Sequence, residues 1–240
     1  MSNNGRKILV LVEGAKTDAR LMEHLINVYG LDSKHEVVPY GTHIYALYNA
    51  MKRDGTPDIL LHLRKREPDA DKKLMFDEKY TDILLMFDLD PHDSQFSEAT
   101  IREMANYFTE STDMGKLYIN YPMVEAFYHM QDIPDPAYNT RVVHMSELTP
   151  KNLYKEKVRV ECRNGDPRKF AVSKRECSTV IHQNIEKAHH ITNRTSTTLV
   201  PDSTDILEAQ LANLKTERTI AVLCTCAFYI PDYNPRLLED

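Results

Sequence analysis

The stretch Asp82-Ile-Leu-Leu-Met-Phe-Asp88-Leu-Asp90-Pro-His-Asp93 decides the expected fold of this chain. Its apolar run carries no polar interruption, which is typical of a strand buried on both faces of a parallel sheet. Pro91 is expected to end the strand, because proline has no N–H to donate to the sheet ladder. Residues i and i+2 of an extended chain point to the same side, so the sequence predicts that Asp88 and Asp90 project together from the carboxyl end of a core strand.

A second apolar run, Lys7 to Val12, ends at Glu13-Gly14 and precedes a helical pattern. We predict Thr17 as the N-cap of this helix and Gly30 as the residue that ends it. Further strands are predicted at 36–40, 116–120 and 220–224, helices near 43–53, 57–65, 97–110, 170–190 and 203–214, a helical turn after Pro122, and a charged loop or frayed helix at 67–80. Strands that alternate with helices in this way predict an α/β fold with a parallel sheet.

The composition excludes several classes of protein. The 240 residues are 42% hydrophobic and 28% charged, as in a globular protein that can bury a core. No run approaches the roughly 18–20 apolar residues of a membrane span, and the N-terminus lacks the apolar segment of a signal peptide, so we expect a cytoplasmic protein. The net charge of −6 does not indicate nucleic-acid binding, which would have to come from a local patch.

The cysteines lie in the C-terminal third of the chain, at Cys162, Cys177, Cys224 and Cys226. In a reducing compartment they are expected to be thiols. They lack C-x-x-C spacing, and a zinc site built with Cys162 and Cys177 is an alternative that the sequence leaves open.

Acidic residues follow both apolar runs. Carboxylates held close together repel each other unless a cation lies between them, and Mg²⁺ prefers oxygen ligands. If the two strands are neighbours, Glu13, Asp88 and Asp90 meet at one crevice, and the sequence predicts a Mg²⁺ site there. Asp93 and Glu125, each just beyond a strand end, are candidates for a second metal position. Such a cluster suits phosphoryl transfer with one ion or two.

The sequence Val12-Glu13-Gly14, Asp18 at the start of the next helix, and the later Asp88-Leu-Asp90 together resemble the Toprim domain. This domain is shared by type IA and type II topoisomerases, bacterial primases and the OLD family of nucleases. The resemblance covers about residues 7–125 and implies a Rossmann-like, mostly parallel sheet flanked by helices. It also implies that Asp88 and Asp90 ligate Mg²⁺ (or Mn²⁺), and that Glu13 has a general acid/base and metal role in catalysis.

The segment Asn120-Tyr-Pro122-Met-Val-Glu125, followed by aromatic residues, resembles RloB-type Toprim proteins, and the chain length resembles the Toprim nuclease subunit of PARIS-type antiphage systems. These resemblances imply a toxic nuclease that cleaves RNA or DNA, with transfer RNA as one target and an ABC-type ATPase as partner. A homodimer is also expected.

We place the Toprim-like domain at residues 1–137 and a mainly helical C-terminal extension, packed on the same domain, at 138–240. The chain lacks an obvious tyrosine-bearing cleavage domain, so topoisomerase strand passage is not expected.

A basic segment, Lys151 to Arg175, stands out in this acidic chain and includes the aromatic residues Tyr154 and Phe170. Contacts between such a segment and phosphates would supply the affinity that the net charge does not. The alternative is an ordinary solvated loop and helix face. Our candidate nucleic-acid-binding residues are Lys155, Lys157, Arg159, Arg168 and Lys169, together with Lys16 at the start of the first helix, for which an exposed surface lysine is the alternative.

Other interpretations of the acids stay open. Two acids after a strand can be a polar turn, Glu125 can be a first-turn helix acid, and Asp18 is expected to stabilise a helix start rather than bind metal. Haloacid-dehalogenase phosphatases and nucleotide-sugar glycosyltransferases also use Asp-x-Asp. The former usually place it on the first strand, and the latter have no role for the Glu13-Gly14 turn. A metal-dependent phosphatase and a non-catalytic Toprim-fold binding module remain the alternatives to a nuclease.

Overall fold

In the computed structural model, strands and helices alternate along the first half of the chain, as predicted. The structure describes residues 7–55, 58–112, 114–148, 153–193 and 198–239. The strands are β1 Ile8–Val12, β2 His35–Pro39, β3 Asp82–Asp88, β4 Thr109–Glu110, β5 Gly115–Asn120, β6 Val142–His144 and β7 Thr219–Ala221. The α-helices are α1 Thr17–Val28, α2 Ile44–Asp54, α3 Ile59–Arg66, α4 Ala70–Met75, α5 Glu98–Tyr107, α6 Met145–Leu148, α7 Leu153–Glu161, α8 Lys174–Thr192, α9 Ser203–Thr216 and α10 Tyr229–Tyr233.

The main sheet has five strands in the order β2-β1-β3-β5-β4. β1 pairs in parallel with β2 and β3, β3 pairs in parallel with β5, and the two-residue β4 runs antiparallel at the edge. The predicted α/β fold, a mostly parallel sheet flanked by helices, is confirmed and is consistent with a Rossmann-like architecture. Because parallel strands end at one edge of a sheet, the residues that follow β1, β3 and β5 are brought together there.

The two strands with uninterrupted apolar sequences form the centre of the core. β1 and β3 are buried along their whole length, and full burial of one such aliphatic side chain contributes about 1.5–3 kcal/mol. Helix α1 packs beside them through a stripe of buried side chains. Gly30, at a φ of +66°, follows the end of this helix in the left-handed conformation, as predicted.

The C-terminal residues pack on the same core. β6 and β7 form a two-stranded antiparallel sheet, and a bridge between Tyr121 and Leu223 ties this region to the end of β5. One buried hydrophobic cluster includes residues from Ile8 to Leu238. Helices α6 to α10 belong to this part of the chain, while the subdivision after residue 137 stays a prediction.

Three local predictions need correction. Thr17 is the first residue of α1 and not its N-cap; Lys16 holds the cap position without a capping side-chain bond. The helix predicted near 97–110 ends at Tyr107, and Thr109–Glu110 form β4, whereas the helical turn predicted after Pro122 is confirmed as a 3₁₀-helix, Val124–Tyr128. The late strand, predicted at 220–224, is Thr219–Ala221, and two residues later the chain leaves β6, because Leu223 bridges to Tyr121 at the end of β5.

All four cysteines are buried free thiols, and the sulfurs of Cys224 and Cys226 lie 3.3 Å apart. In the described part of the chain, no cysteine belongs to a group that could hold a metal ion, so the alternative zinc site has no support. Among the described helices, none is long and apolar enough to cross a membrane.

Candidate metal centre

The carboxyl edge of the main sheet holds both acidic motifs. Val12 lies opposite Met86 in the β1–β3 ladder, and the Glu13 N–H donates to the Met86 carbonyl at 3.0 Å. In return, the Asp88 N–H donates to Glu13 Oε2 at 3.3 Å. These bonds fix Glu13 against the end of β3. The result is that carboxylate oxygens of Glu13, Asp88 and Asp90 lie within 4.8 Å of one another.

Asp90 reaches this group through a turn and not through strand alternation. β3 ends at Asp88, and Asp90 has a φ of +40°, a conformation that aspartate tolerates better than most residues. The Leu89 N–H donates to the Asn120 carbonyl at 3.0 Å, and the Asp90 N–H donates to the Pro122 carbonyl at 3.2 Å. The extended conformation predicted for Asp90 is therefore wrong, although its carboxylate does converge on that of Asp88.

Asp88 is the most enclosed of the three acids, with 4% of its surface exposed. Asn120 lies opposite it on β5, and Asn120 Nδ2 donates to Asp88 Oδ1 at 3.2 Å. Asn120 Oδ1 accepts the Cys226 N–H, also at 3.2 Å. Because both ends of the amide are bonded, Asn120 presents a donor to Asp88 and holds that carboxylate in place.

Burial and mutual repulsion favour the protonated forms of these acids. Burial, followed by the charge of Asp90, raises the pKa of Glu13 to about 8. Burial raises the pKa of Asp88 well above its usual range, with further contributions from Asp18 and Glu13. Burial also raises the pKa of Asp90. A divalent cation bound here would stabilise the ionised forms of these acids and so act against burial and mutual repulsion.

The chemistry of this group fits Mg²⁺ or Mn²⁺. Glu13, Asp88 and Asp90 all offer hard carboxylate oxygens, which both ions prefer to nitrogen or sulfur. At the Mg–O distance of about 2.0–2.1 Å, oxygens on opposite sides of an ion lie roughly 4 Å apart. That separation is close to the 4.8 Å within which the three carboxylates already lie. These three residues could therefore hold an ion with little rearrangement.

Two further acids border the group of three. Asp18 Oδ1 and Glu125 Oε2 are buried and have no hydrogen-bond partner. Burial, with a contribution from the charge of Glu125, raises the pKa of Asp18 to about 6. A Cβ on Gly14 would lie 2.6 Å from Asp18 Oδ2, so glycine at this position lets the Asp18 carboxylate approach the end of β1.

Sequence reasoning assigned Asp18 to the helix start and missed this placement. The signal that could have found it is an acid in the first turn of the helix that directly follows Glu13-Gly14, because that turn lies at the same edge of the sheet.

Asp93 lies outside the group of three. Its Oδ1 accepts the Gln95 N–H at 2.7 Å, its Oδ2 lies 3.9 Å from His43 Nε2, and its charge raises the pKa of Asp90. A metal role for Asp93 stays a prediction.

Most of the predicted nucleic-acid-binding residues lie on the surface. Lys16 and Lys169 are exposed, and Lys151, the first residue of the basic segment, lies outside the described residues. Lys155 Nζ lies 3.4 Å from Glu125 Oε1, beside the metal centre. The other three form ion pairs within the C-terminal half: Lys157 with Glu147 at 2.7 Å, Arg159 with Glu156 at 3.1 Å, and Arg168 with Asp166 at 3.0 Å.

The aromatic residues of the basic segment are buried. Tyr154 is fully buried and its hydroxyl lies 3.2 Å from His129 Nδ1. Phe170 is 2% exposed and packs edge-on against Phe127 and Tyr128. Since neither ring is accessible, the structure does not offer them as stacking platforms for bases.

A groove of about 320 Å³ opens beside the acids, between α1 and α7. Its charged lining consists of the acids Glu125, Glu156 and Asp166 and the cations Arg20, Lys155, Arg159 and Arg168. Arg20 is a functional candidate that sequence reasoning missed, because a single arginine in an amphipathic helix carries no signal of its own. The groove connects the carboxylates to the basic segment.

Comparisons of this chain with protein-family models, with curated proteins and with solved structures found no match. The Toprim relationship is therefore a prediction that depends on the motifs and on the placement of their residues.

Proposed function

We propose that this chain is a Toprim-type nuclease that uses Mg²⁺ or Mn²⁺ to hydrolyse phosphodiester bonds in RNA or DNA. The observation that carries the proposal is the convergence of Glu13, Asp88 and Asp90, from the ends of two adjacent parallel strands, within 4.8 Å. Phosphoryl transfer depends on positioning and on compensation of negative charge, and a carboxylate site of this kind serves both through its metal. The motif resemblance supports the same conclusion.

Each residue has a distinct part in this mechanism. Asp88 and Asp90 would hold the ion, which when bound polarises a phosphate oxygen and lowers the pKa of water. Asn120 keeps Asp88 oriented through its 3.2 Å hydrogen bond. Glu13 Oε2 accepts the Asp88 N–H, so Oε1 is the atom that would bind the ion or take a proton from the attacking water.

The groove between α1 and α7 would hold the polynucleotide beside the scissile bond. It reaches Glu125 at the metal centre, and Arg20, Arg159 and Arg168 line it. Guanidinium groups bind phosphate oxygens in a planar, two-pronged manner. Binding is therefore expected to weaken with added salt, as phosphate contacts do.

The biological part of the proposal comes from the motif resemblance. By analogy with PARIS-type systems, the chain would be a toxic, cytoplasmic effector of antiphage defence that an ABC-type ATPase holds or releases. Transfer RNA is one target to test, and the homodimer is the assembly to test.

The proposal is tested by a Mg²⁺-dependent cleavage assay on transfer RNA, single-stranded DNA and duplex DNA. Glu13→Gln and Asp88→Asn should each lower the rate at least about 100-fold, because loss of metal-centred charge stabilisation costs several kcal/mol. Glu23→Gln, at an exposed position of α1, is the matched control. Unchanged cleavage in both site variants would remove the mechanism.

The same preparation separates the alternatives. Hydrolysis of small phosphomonoesters with polynucleotides left intact would identify a phosphatase. A non-catalytic binding module would bind polynucleotides, and Asp88→Asn would cause no loss of Mg²⁺ affinity in it.

A further inference from the structure

The C-terminal half of the chain contributes an ammonium group to the edge of the metal centre. Lys155 in α7 places its Nζ 3.4 Å from Glu125 Oε1, and 46% of its side-chain surface is exposed. The other ion-paired cations of the basic segment bind acids between residues 132 and 176. Lys155 is different, because its partner follows the end of β5 and belongs to the sheet edge that carries the acids.

The charge of Lys155 acts on the whole acidic group. Burial alone would lower the pKa of Lys155, but the charges of Glu125, Asp88 and Asp90 outweigh burial and raise it. Lys155 in turn lowers the pKa values of Glu13 and Asp90 against the effect of burial. The ammonium is therefore a counter-ion for the centre as a whole and not for Glu125 alone.

Asp18 and Glu125 are the carboxylates that a second divalent ion would need. They lie outside the group of Glu13, Asp88 and Asp90, and each has one buried oxygen without a hydrogen-bond partner. Lys155 Nζ already lies against Glu125. A divalent ion and an ammonium on the same carboxylate would repel each other strongly in a partly buried site.

We propose that Lys155 takes the place of a second divalent ion, so that the centre binds one ion and the ammonium neutralises the Asp18–Glu125 side. This inference rests on the proposed metal centre and specifies how its charge is balanced. It replaces the two-ion arrangement that the sequence suggested for Asp93 and Glu125. During phosphoryl transfer, Lys155 would then act as a fixed positive charge beside the phosphate, where a two-metal enzyme has its second ion.

Counting bound ions tests the inference. Isothermal titration calorimetry with MnCl₂, together with electron paramagnetic resonance of bound Mn²⁺, should give one ion per wild-type chain. Lys155→Met should bind two, with the second ion at least about tenfold tighter than any second ion in the wild type, within the usual range of coupling between neighbouring sites. Lys155→Arg keeps the charge and should still bind one.

The matched control is Lys157→Met, which removes a lysine from the same helix that pairs with Glu147 at 2.7 Å. It should bind one ion, like the wild type. Two ions in the wild type, or one ion in a folded Lys155→Met variant, would overturn the role of Lys155 and leave the nuclease proposal intact. No ion in any variant would overturn the metal centre itself.

A second readout is the Mg²⁺ dependence of cleavage. The wild type should depend on Mg²⁺ with a Hill coefficient near one, and Lys155→Met should move towards two as the second position fills. Circular dichroism of each variant shows whether it is folded. If Lys155→Met fails to fold, Lys155→Gln is titrated in its place and must also bind two ions.

Discussion

Two buried groups of charged side chains in this molecule differ in how their charges are balanced. At the carboxyl edge of the sheet, Glu13, Asp88 and Asp90 crowd together with raised pKa values. In the C-terminal half, Arg141 lies between two acids, with its Nη2 2.8 Å from Asp135 Oδ2 and its Nη1 3.2 Å from Glu161 Oε2.

The C-terminal group continues through other buried partners. His129 is fully buried, with Nε2 2.9 Å from Glu161 Oε2 and Nδ1 3.2 Å from the Tyr154 hydroxyl. Lys187 is also fully buried and donates to the carbonyl oxygens of Tyr138 and Arg141. The Arg141 charge is thus matched by two carboxylates within the protein, although its buried Nε has no hydrogen-bond partner.

The difference separates a structural group from a functional one. A balanced network is costly to break, because the removal of one partner leaves another buried and unpaired. A group of like charges is costly to keep, and it persists where an external cation or substrate completes it. The following predictions test this contrast.

The largest effect on stability is expected at Asp135. Asp135→Asn leaves the Arg141 guanidinium without one of its two carboxylates, so the free energy of unfolding should fall by about 3 kcal/mol. Asp88→Asn, measured in EDTA, should cause little loss, because burial already favours the uncharged form of this carboxyl and asparagine is also uncharged. Urea unfolding gives both values. Equal losses in the two variants would contradict the contrast.

Divalent ions should stabilise one group and leave the other untouched. At a Mg²⁺ concentration 100 times its dissociation constant, the wild type should gain about 2.7 kcal/mol of unfolding free energy. Asp135→Asn should keep that increment, while Asp88→Asn should lose it. A full increment in Asp88→Asn would place the ion elsewhere. Thermal unfolding at a series of Mg²⁺ concentrations measures the gain in unfolding free energy for each variant.

The two groups should respond to pH with opposite signs. The folded-state pKa of Glu13, about 8, lies above its ordinary value of 4.5, so the folded chain binds the extra proton. In EDTA this contribution to stability is full below about pH 4.5 and is lost as the pH rises to 8. Burial lowers the pKa of His129 from 6.5 to about 4, so the folded state favours the neutral ring. The contribution of His129 to stability is therefore lost as the pH falls from 6.5 to 4.

Melting temperatures from pH 4 to 9 separate these contributions. Glu13→Gln should flatten the decline towards alkaline pH, and Mg²⁺ should flatten it in the wild type. His129→Gln should flatten the rise between about pH 4 and 6.5 and leave the alkaline limb unchanged. A wild-type curve that rises steadily through this range in EDTA would contradict the raised pKa of Glu13.

The smallest effect is expected at Gly14. Alanine here places its Cβ 2.6 Å from Asp18 Oδ2, and the carboxylate can move aside. Stability should change by less than about 1 kcal/mol, while Mn²⁺ affinity should fall a few-fold because Asp18 is displaced. The double variant Gly14→Ala/Asp18→Asn should show less than the sum of the two single effects. Strict additivity would mean that the two residues act independently.

The sequence was sufficient for the parts of the fold and site that local patterns determine. Uninterrupted apolar runs identified β1 and β3, and the rule that parallel strands end at one edge brought Glu13 to Asp88. The packing of α7 beside α1 determines where Asp18, Lys155 and Arg20 lie relative to one another. A hydrophobic pattern within one helix does not predict this packing. The basic segment suggested that Tyr154 could contact nucleic acid. It is buried instead, because α7 is charged on one face and packs its other face against the core.

Asn120 links the two halves of the molecule with a single amide, because its Nδ2 donates to Asp88 and its Oδ1 accepts from Cys226. The centre therefore depends on the chemical integrity of this one amide. Deamidation would replace the donor with a second carboxylate and turn an attraction to Asp88 into a repulsion, without altering any ligand. Intact mass and Mn²⁺ affinity followed together in stored protein would show whether the loss of that one nitrogen ends ion binding.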